Sequence, residues 1–246
     1  MIIIKNDKEI DLMRIAGRIV AETLLLVEKE VRPGITTAEL DRIAEEFITK
    51  HGAKPSFKGL YGFPASLCIS VNEQVVHGIP GGYVLKEGDI ISVDCGANIN
   101  GFHGDAARTF AVGNISEEAK RLIKVTEESF FKGLEFAKVG NKLTDISHEI
   151  QRYVEVSGFS VVREFVGHGI GKSVHEDPEV PNFGRPGRGP KLVAGMALAI
   201  EPMVNMGTYR VATLGDDWTV VSADKSLSAH YENTVVILPD GPEILT

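Results

Sequence analysis

The sequence predicts an α+β protein made of two similar halves, each with two helices followed by a sheet. Segments with apolar residues at helical spacing open each half, short runs of β-branched residues follow them, and the same order then repeats. The repeat divides the 246 residues into approximately 1–112 and 113–246. No linker rich in Pro, Gly or Ser separates the halves, so we expect one domain with a shared interior.

Helix signals open the first half. Apolar residues recur at helical spacing over residues 6–31, after an Asn6 cap with Glu9 three residues later. Thr36 and Glu39 repeat this capping pattern at the start of a second predicted helix. The first half therefore begins with two consecutive helices.

Strand signals follow, and the second half then repeats the order. Between residues 66 and 112 the predicted strands are SLCISVN, DIISVDCGA and ARTFAV. Helical patterns return at about 116–137 and 144–157. The strand-like runs after them are FSVVREF, MALAIEPMV, WTVVSA and HYENTVVIL.

Composition narrows the class of protein. Of the residues, 43% are hydrophobic and 24% charged, and no apolar run approaches the roughly 18 residues that a membrane span needs. The start, MIIIKNDKEIDLMR, lacks the features of a signal peptide. The two cysteines, Cys68 and Cys95, make no disulfide framework. With 34 acidic and 26 basic residues, the chain is not expected to capture nucleic acid by charge. We expect a cytoplasmic protein.

The stretch DIISVDCGANINGFHGDAARTF predicts a strand, an Asn/Gly turn and a second strand. A turn at Asn100-Gly101 pairs Asp94 with Ala107 and makes Asp105 its diagonal neighbour, whereas a turn one residue earlier puts Asp94 opposite Asp105. Either register leaves both aspartates on one face. Like charges about 4.5–5.5 Å apart on a sheet are destabilising, so two ionised aspartates there need a cation.

Two more acids interrupt apolar runs in the second half. Glu201 lies in MALAIEPMV and Glu232 in HYENTVVIL, where a buried carboxylate without a partner is unfavourable. Four acids, two in each half, are hard to explain separately. A histidine by itself is more often structural, and we assign that role to His51, His103, His148 and His230.

With these motifs in hand, the sequence resembles the type I methionine aminopeptidases, which belong to metallopeptidase family M24. The matching motifs occur in the family's order over residues 66–238: VNEQVVHGIP, the hairpin ending in GFHGD, FVGHGIG, VHEDP, AIEPMV and YENTVVI. The first helix and KPSFKG extend the resemblance to nearly the whole chain. It implies the pita-bread fold, with two pseudo-symmetric helix-helix-sheet halves, a curved, mainly antiparallel sheet and a central dimetal site, in a single catalytic domain of residues 1–246.

The resemblance also implies an activity and a cofactor. A methionyl aminopeptidase removes the initiator methionine from nascent proteins and peptides with a small second residue, through attack on the first peptide bond by water activated between two divalent ions. Oxygen ligands with one imidazole suit Co, Mn, Fe or Zn, without choosing among them. The partners implied are N-termini of nascent polypeptides and, transiently, the ribosome, with no membrane or nucleic-acid substrate, and a monomer is expected.

Specific residue roles follow from the same resemblance. Asp105 and Glu232 would bridge both metals, Asp94 would chelate one, and His168 with Glu201 would complete the other. The residues expected to act in catalysis or on the scissile amide are Glu201, as proton carrier, and His77 and His175. The slot for the methionine side chain would be lined by Phe63, Cys68, Trp218 and the ring of His77.

The sequence departs from the family pattern in two places. Leu60 and Tyr61 occupy KGLYGFP where the family usually has Tyr directly after KG, and Asn233 follows Glu232 where the family often has His. Other functions remain open at this stage. A prolidase or Xaa-Pro aminopeptidase has the same metal set but usually a large N-terminal domain, and a noncatalytic pita-bread binding protein typically lacks ligands. A mononuclear iron oxygenase would leave acids unexplained.

Overall fold

The computed structural model describes residues 1–246. The helices are α1 (Asp7–Glu30), α2 (Thr37–Lys50), α3 (Glu117–Leu134) and α4 (Leu143–Val156). The strands are β1 (Lys54–Pro55), β2 (Leu67–Val71), β3 (Gln74–Val76), β4 (Ile90–Ile99), β5 (Phe102–Ala111), β6 (Ser160–Val161), β7 (Gly167–Gly169), β8 (Glu176–Val180), β9 (Ala197–Ile200), β10 (Met203–Asn205), β11 (Val211–Thr213), β12 (Val220–Ser222), β13 (Ser228–His230), β14 (Asn233–Leu238) and β15 (Gly241–Ile244). No helix combines the length and apolar character that crossing a membrane requires.

The predicted order of two helices and then a sheet is present in both halves. In the first half, α1 and α2 precede a four-stranded sheet in the order β1-β4-β2, with β5 also paired to β4. In the second, α3 and α4 precede a five-stranded sheet in the order β15-β14-β9-β7-β8. Two three-stranded sheets, β13-β10-β6 and β11-β12-β3, complete the fold. All strand pairs are antiparallel.

Local capping explains where the first helices begin. The Asn6 side chain accepts from the backbone N–H of Glu9, and the Glu9 carboxylate accepts from the backbone N–H of Asn6, which completes a capping box. The Thr36 hydroxyl accepts from Glu39 N in the same way. Both predicted helix starts are therefore confirmed, because side chains satisfy backbone donors that have no partner inside the helix.

The central hairpin adopts the Asn100-Gly101 turn, one of the two registers that the sequence left open. Both turn residues have positive φ, 54° and 80°, as a two-residue hairpin turn of type I′ requires. Asp94 consequently pairs with Ala107 and Gly96 with Asp105. The two aspartates are diagonal neighbours on one face of the sheet.

The two halves meet where β5 lies beside the start of β14. The backbone N–H of Glu232 donates to the carbonyl of Ala107 at 3.0 Å. The Thr234 hydroxyl accepts from Asp105 N at 3.0 Å and donates to Asp105 O at 2.9 Å. These bonds place Asp105 of the first half next to Glu232 of the second half.

Two predicted strands of the second half are each divided at an acid. The run MALAIEPMV forms β9 and β10, with Glu201-Pro202 between them, and HYENTVVIL contains the end of β13 and then β14, with Tyr231-Glu232 between them. Prolines have no backbone donor for a sheet ladder, which accounts for the first break. Each break turns a glutamate out of the ladder and toward the centre of the molecule, where both line one cavity.

Packing between α1 and β5 depends on one close backbone approach. A Cβ built on Gly104 of β5 would lie 2.8 Å from the backbone nitrogen of Gly17 and 2.9 Å from the carbonyl carbon of Ala16, both in α1. Because backbone atoms cannot turn aside, any side chain at this position forces the helix away from the sheet.

We predict that Gly104→Ala lowers the free energy of unfolding by about 1–3 kcal/mol through this overpacking. Gly82→Ala is the matched control, since a Cβ there meets nothing within 4 Å, and its effect is expected to stay within about 0.5 kcal/mol. Urea denaturation followed by circular dichroism measures both, and equal stability of the two variants would contradict the packing argument.

Candidate metal centre

A cavity of about 700 Å³ opens between the two halves. It is lined by all ten residues that the sequence predicts for the site: Phe63, Cys68, His77, Asp94, Asp105, His168, His175, Glu201, Trp218 and Glu232. The first half supplies five of them and the second half the other five. The fold therefore brings together residues that are far apart in the chain.

Strand pairing explains how the acids and His168 converge. His168 on β7 pairs with Ala199 of β9, and Glu201 follows the end of β9. Asn233 pairs with Ile200, so Glu232 lies beside Glu201 at the same end of the five-stranded sheet. The β5–β14 junction then brings this end against Asp105.

Three of the side chains converge closely enough to share one ion. Asp105, His168 and Glu232 each offer a ligand atom within 4.8 Å of the other two. His168 Nε2 lies 3.9 Å from Asp105 Oδ2 and 3.6 Å from Glu201 Oε1. The Nδ1 of His168 donates to the carbonyl of Gly169 at 2.9 Å, which leaves the lone pair of Nε2 directed at the acids.

The acids are buried without enough partners. One oxygen each of Asp94, Asp105 and Glu232 is inaccessible to solvent and has no hydrogen-bond donor. Burial raises the pKa of Asp94 to about 7. Burial and the neighbouring carboxylates raise the pKa values of Asp105, Glu201 and Glu232 well above their ordinary range. Each acid thus resists ionisation in the presence of the others.

No fixed cation of the chain neutralises this cluster. The Arg108 guanidinium is close enough to Glu232 to lower its pKa somewhat. Its N–H groups, however, donate to the backbone carbonyls of Ala107 and Glu232 and to Asn233 Oδ1. Carboxylate oxygens without donors, together with an imidazole whose free lone pair faces them, fit a divalent cation of the Mn, Fe, Co or Zn type.

His77 and His175 both line the cavity. His77 has a positive φ of 59°, and burial lowers its pKa to about 4, so its ring is neutral at pH 7. His175 is exposed at the rim, where its ring packs edge-on to His168 at 4.5 Å. The next residue, Glu176, forms a buried ion pair with Lys5 at 2.5 Å. This pair anchors the segment that carries His175.

An apolar recess adjoins the acids. The Phe63 and Trp218 rings meet edge to face at 5.1 Å, and Trp218 lies 6.5 Å from the His77 ring. Cys68 pairs with Asp94 across β2 and β4, which puts its thiol on the same face as the aspartate. Soft and aromatic walls of this kind suit an unbranched thioether side chain.

The two departures from the family pattern have different surroundings. Leu60 and Tyr61 both line the cavity, and Tyr61, with a φ of 52°, is 76% exposed and stacks on His175 at 5.8 Å. Asn233 points away from the acids, since its Oδ1 accepts from Arg108 at 2.7 Å and from the Thr246 hydroxyl at 3.2 Å. Only the first departure alters the cavity wall.

His230 was expected to be structural but lies at the centre. Its side chain is buried, and its Nε2 is 3.6 Å from Glu201 Oε2 and 4.0 Å from Glu232 Oε2. Its position two residues before Glu232 would put both side chains on one face of an unbroken strand. The strand is divided here, however, so the contact depends on the pairing of β13 with β10. The three other histidines bond elsewhere, His51 and His148 to backbone carbonyls and His103 to Ser56 and Asn98.

Comparison with known proteins assigns the family. The model for metallopeptidase family M24 matches residues 11–239. The chain belongs to metallopeptidase family M24. The M24 chain is 78% identical to a methionine aminopeptidase of Clostridium perfringens, over 100% of its own length and 99% of that protein. It is 58% identical to methionine aminopeptidase 1 of Bacillus subtilis, over 100% of its own length and 99% of that protein.

A solved structure gives the same result at the level of the fold. The crystal structure of methionine aminopeptidase from Rickettsia prowazekii matches with a TM-score of 0.99 at 43% identity, and the match covers 100% of both chains. The M24 chain therefore has the pita-bread fold that its sequence predicts. Family membership and the cluster of Asp105, His168 and Glu232 both support use of a divalent metal.

We predict that removing metal with EDTA destabilises the M24 chain more at about pH 7.5 than at about pH 5, because ligands bind metal in their deprotonated form. The folded-state pKa of Asp94, about 7, exceeds the unfolded value of about 3.9. Its contribution to stability is complete below the unfolded pKa and is lost as pH rises through the folded pKa. The metal-free protein is therefore less stable at neutral pH than at acidic pH, because its ionised carboxylates then repel one another. Bound metal opposes this repulsion.

Thermal unfolding with and without Mn²⁺ measures this effect as a difference in Tm at each pH. Taking the difference removes the contribution of groups outside the centre. The same Tm difference at both pH values would contradict the assignment of the buried acids as metal ligands.

Proposed function

We propose that this chain is a methionine aminopeptidase, a metallo-exopeptidase that hydrolyses the first peptide bond of substrates with an N-terminal methionine. The observation that carries the proposal is the apolar recess of Phe63, Cys68 and Trp218 directly beside the buried acids. Relatives that match over the whole chain at 78% and 58% identity are methionine aminopeptidases. The prolidase alternative is not favoured.

We propose that the acids and His168 hold two divalent ions. Four carboxylates carry a charge of −4 when ionised, which two dications balance. Asp105 and Glu232, which lie next to each other across the junction of the halves, would be shared by both ions. Asp94 would hold one ion, and His168 with Glu201 would hold the other. Bound divalent ions supply polarisation of the scissile carbonyl and acidification of the attacking water.

The protein side chains position the substrate and move the proton. Glu201, whose carboxylate lines the cavity beside the other acids, carries the proton from the attacking water to the leaving amine. His77 and His175, which both line the cavity, hold the scissile amide and steady the tetrahedral intermediate. The substrate's free α-amine lies at the acids, which restricts cleavage to the first residue.

The cavity wall favours a small second residue in the substrate. Tyr61 and Leu60 line the cavity, and the Tyr61 ring stacks on His175, beside which the chain beyond the scissile bond would leave. A ring stacked on His175 reduces the room for a large side chain at that point.

We also propose a cellular setting. Cys68 and Cys95 are buried free thiols, which suits a reducing compartment such as the cytoplasm. A cavity that ends at buried acids suits the free end of an extended chain, and nascent polypeptides emerging at the ribosome present such ends. The chain acts as a monomer and as one catalytic domain, because residues of both halves line the same cavity.

A peptide panel tests the proposed function. With Mn²⁺ or Co²⁺, the purified protein should release methionine from Met-Ala-Ser with a kcat/KM at least about 100-fold higher than for Ala-Pro. Met-Leu-Ser should be cleaved more slowly than Met-Ala-Ser. Chromatography of the released amino acid measures all three rates. Preference for Ala-Pro would instead indicate a prolidase, and absence of any product would indicate a binding protein.

Replacing a bridging ligand should affect both ions at once. We predict that Asp105→Ala lowers kcat/KM by at least about 100-fold, more than the 10–100-fold typical of residues outside the ligand set. Metal stoichiometry should fall as well, as measured by elemental analysis. Asp240→Ala is the control, because this aspartate is exposed in the β14–β15 turn. Normal turnover by the Asp105→Ala protein would overturn the site assignment.

A further inference from the structure

His230 is a buried histidine that the proposed metal set does not use. The residue is 1% exposed, and its Nε2 is inaccessible to solvent and has no hydrogen-bond partner. The atoms nearest to Nε2 among charged groups are Glu201 Oε2 at 3.6 Å and Glu232 Oε2 at 4.0 Å. A buried polar atom aimed at two proposed metal ligands requires a function.

The backbone of His230 is held on both sides. Its backbone N–H donates to Thr109 Oγ1 at 2.9 Å, and the same hydroxyl donates to the His230 carbonyl at 2.9 Å. His230 also ends β13, where it pairs with Met203 of β10. These bonds fix where the side chain starts, and the burial of the residue leaves the imidazole little room to turn away from the glutamates.

Glu201 lies between two imidazoles that present different atoms. Its Oε1 is 3.6 Å from Nε2 of His168, which is a lone pair because Nδ1 of His168 donates to Gly169. Its Oε2 is 3.6 Å from Nε2 of His230. The charged atoms nearest to Nε2 of His230 are carboxylate oxygens. A proton on Nε2 is therefore favourable, because these oxygens would repel a lone pair there.

We propose that His230 is a positioning residue of the metal centre, whose Nε2–H donates to Glu201 Oε2 so that Oε1 is left for the ion beside His168. A shift of the glutamate by a few tenths of an ångström brings the pair to hydrogen-bond distance. The inference rests on the proposed metal centre. His230 is not a metal ligand in it but donates a hydrogen bond to one of the ligands. Donors of this kind typically change metal affinity or activity by 10–100-fold.

Two amides of different length test the proposal. The side-chain nitrogen of glutamine reaches about as far as histidine Nε2, whereas that of asparagine reaches only about as far as Nδ1. Metal-stripped His230→Gln, His230→Asn and wild-type proteins are titrated with Mn²⁺ by calorimetry. We expect His230→Asn to bind about 10–100-fold more weakly and His230→Gln to stay within about threefold of wild type. The kcat/KM for Met-Ala-Ser should follow the same order.

Two measurements separate positioning from direct ligation and from a general loss of fold. The visible spectrum of the Co²⁺ protein should be unchanged in His230→Gln, because no ligand of the ion is replaced. His148→Gln, a change in α4 at a histidine bonded to the Gly184 carbonyl, should bind Mn²⁺ like wild type. Circular dichroism checks the fold of each variant.

Several results would overturn the proposal. Wild-type affinity in His230→Asn would exclude any role, whereas equal loss in both amide variants or an altered Co²⁺ spectrum in His230→Gln would show that the imidazole itself is needed. Should His230→Asn not fold, Thr109→Val with Thr109→Ser as control gives a second route. The first removes the hydroxyl that holds His230 and should weaken Mn²⁺ binding, and unchanged binding would again refute the inference.

Metal binding is measured here without peptide, so the two proposals fail separately. A chain that binds Mn²⁺ in a His230-dependent way but releases no methionine refutes the proposed function and leaves the role of His230 standing. If the protein releases methionine but every variant binds Mn²⁺ with the same affinity, the proposed function stands and the role of His230 is refuted.

Discussion

The mutual repulsion of four buried carboxylates is the constraint on which the centre of this molecule depends. Asp94, Asp105, Glu201 and Glu232 lie in one cavity, and burial raises the pKa of each. An isolated buried charge is strongly unfavourable, and a group of like charges more so. The nearest guanidinium, that of Arg108, is engaged by carbonyls and an amide. Divalent cations resolve this conflict, and the family of the chain uses them.

The fold distributes this unfavourable cluster over two half-structures that are each well packed. The second half contributes nearly all of one core cluster of 22 buried residues, and the first half contributes another of 19. A regular hairpin turn delivers the two aspartates, while breaks in two strands deliver the glutamates. Binding sites are commonly built where a rigid frame places polar groups that would be unfavourable in its interior. Here Thr234 ties the two halves together at the site, because its hydroxyl bonds to both the backbone N–H and the carbonyl of Asp105.

Local signals allowed most of the fold to be predicted, and non-local pairing accounts for what was not. The helix starts at Asn6 and Thr36 depend on contacts with residues only three positions away. The local sequence is therefore enough to predict where these helices begin. The hairpin register stayed open because Asn100 suits either turn. The division of two apolar runs at Glu201 and Glu232 was not predicted, since one long strand and two short ones share the same apolar pattern.

The site residues were predicted from motifs, and His230 shows the limit of that approach. A histidine judged by its own neighbours looks like an ordinary core residue. Its position against Glu201 arises only when β13 pairs with β10 across a gap of more than twenty residues. Roles inferred from motifs favour residues inside them, and His230 precedes the motif that contains Glu232 by one position.

The junction of the halves at Asp105 and Glu232 has a consequence for the living cell. An ion held by both halves links their association to the supply of that ion, since whatever binds only the folded form shifts the folding equilibrium. Under metal limitation the polypeptide would then open more often at this junction and be degraded faster by proteases. Nutrient conditions would in this way set the abundance of the enzyme as well as its activity.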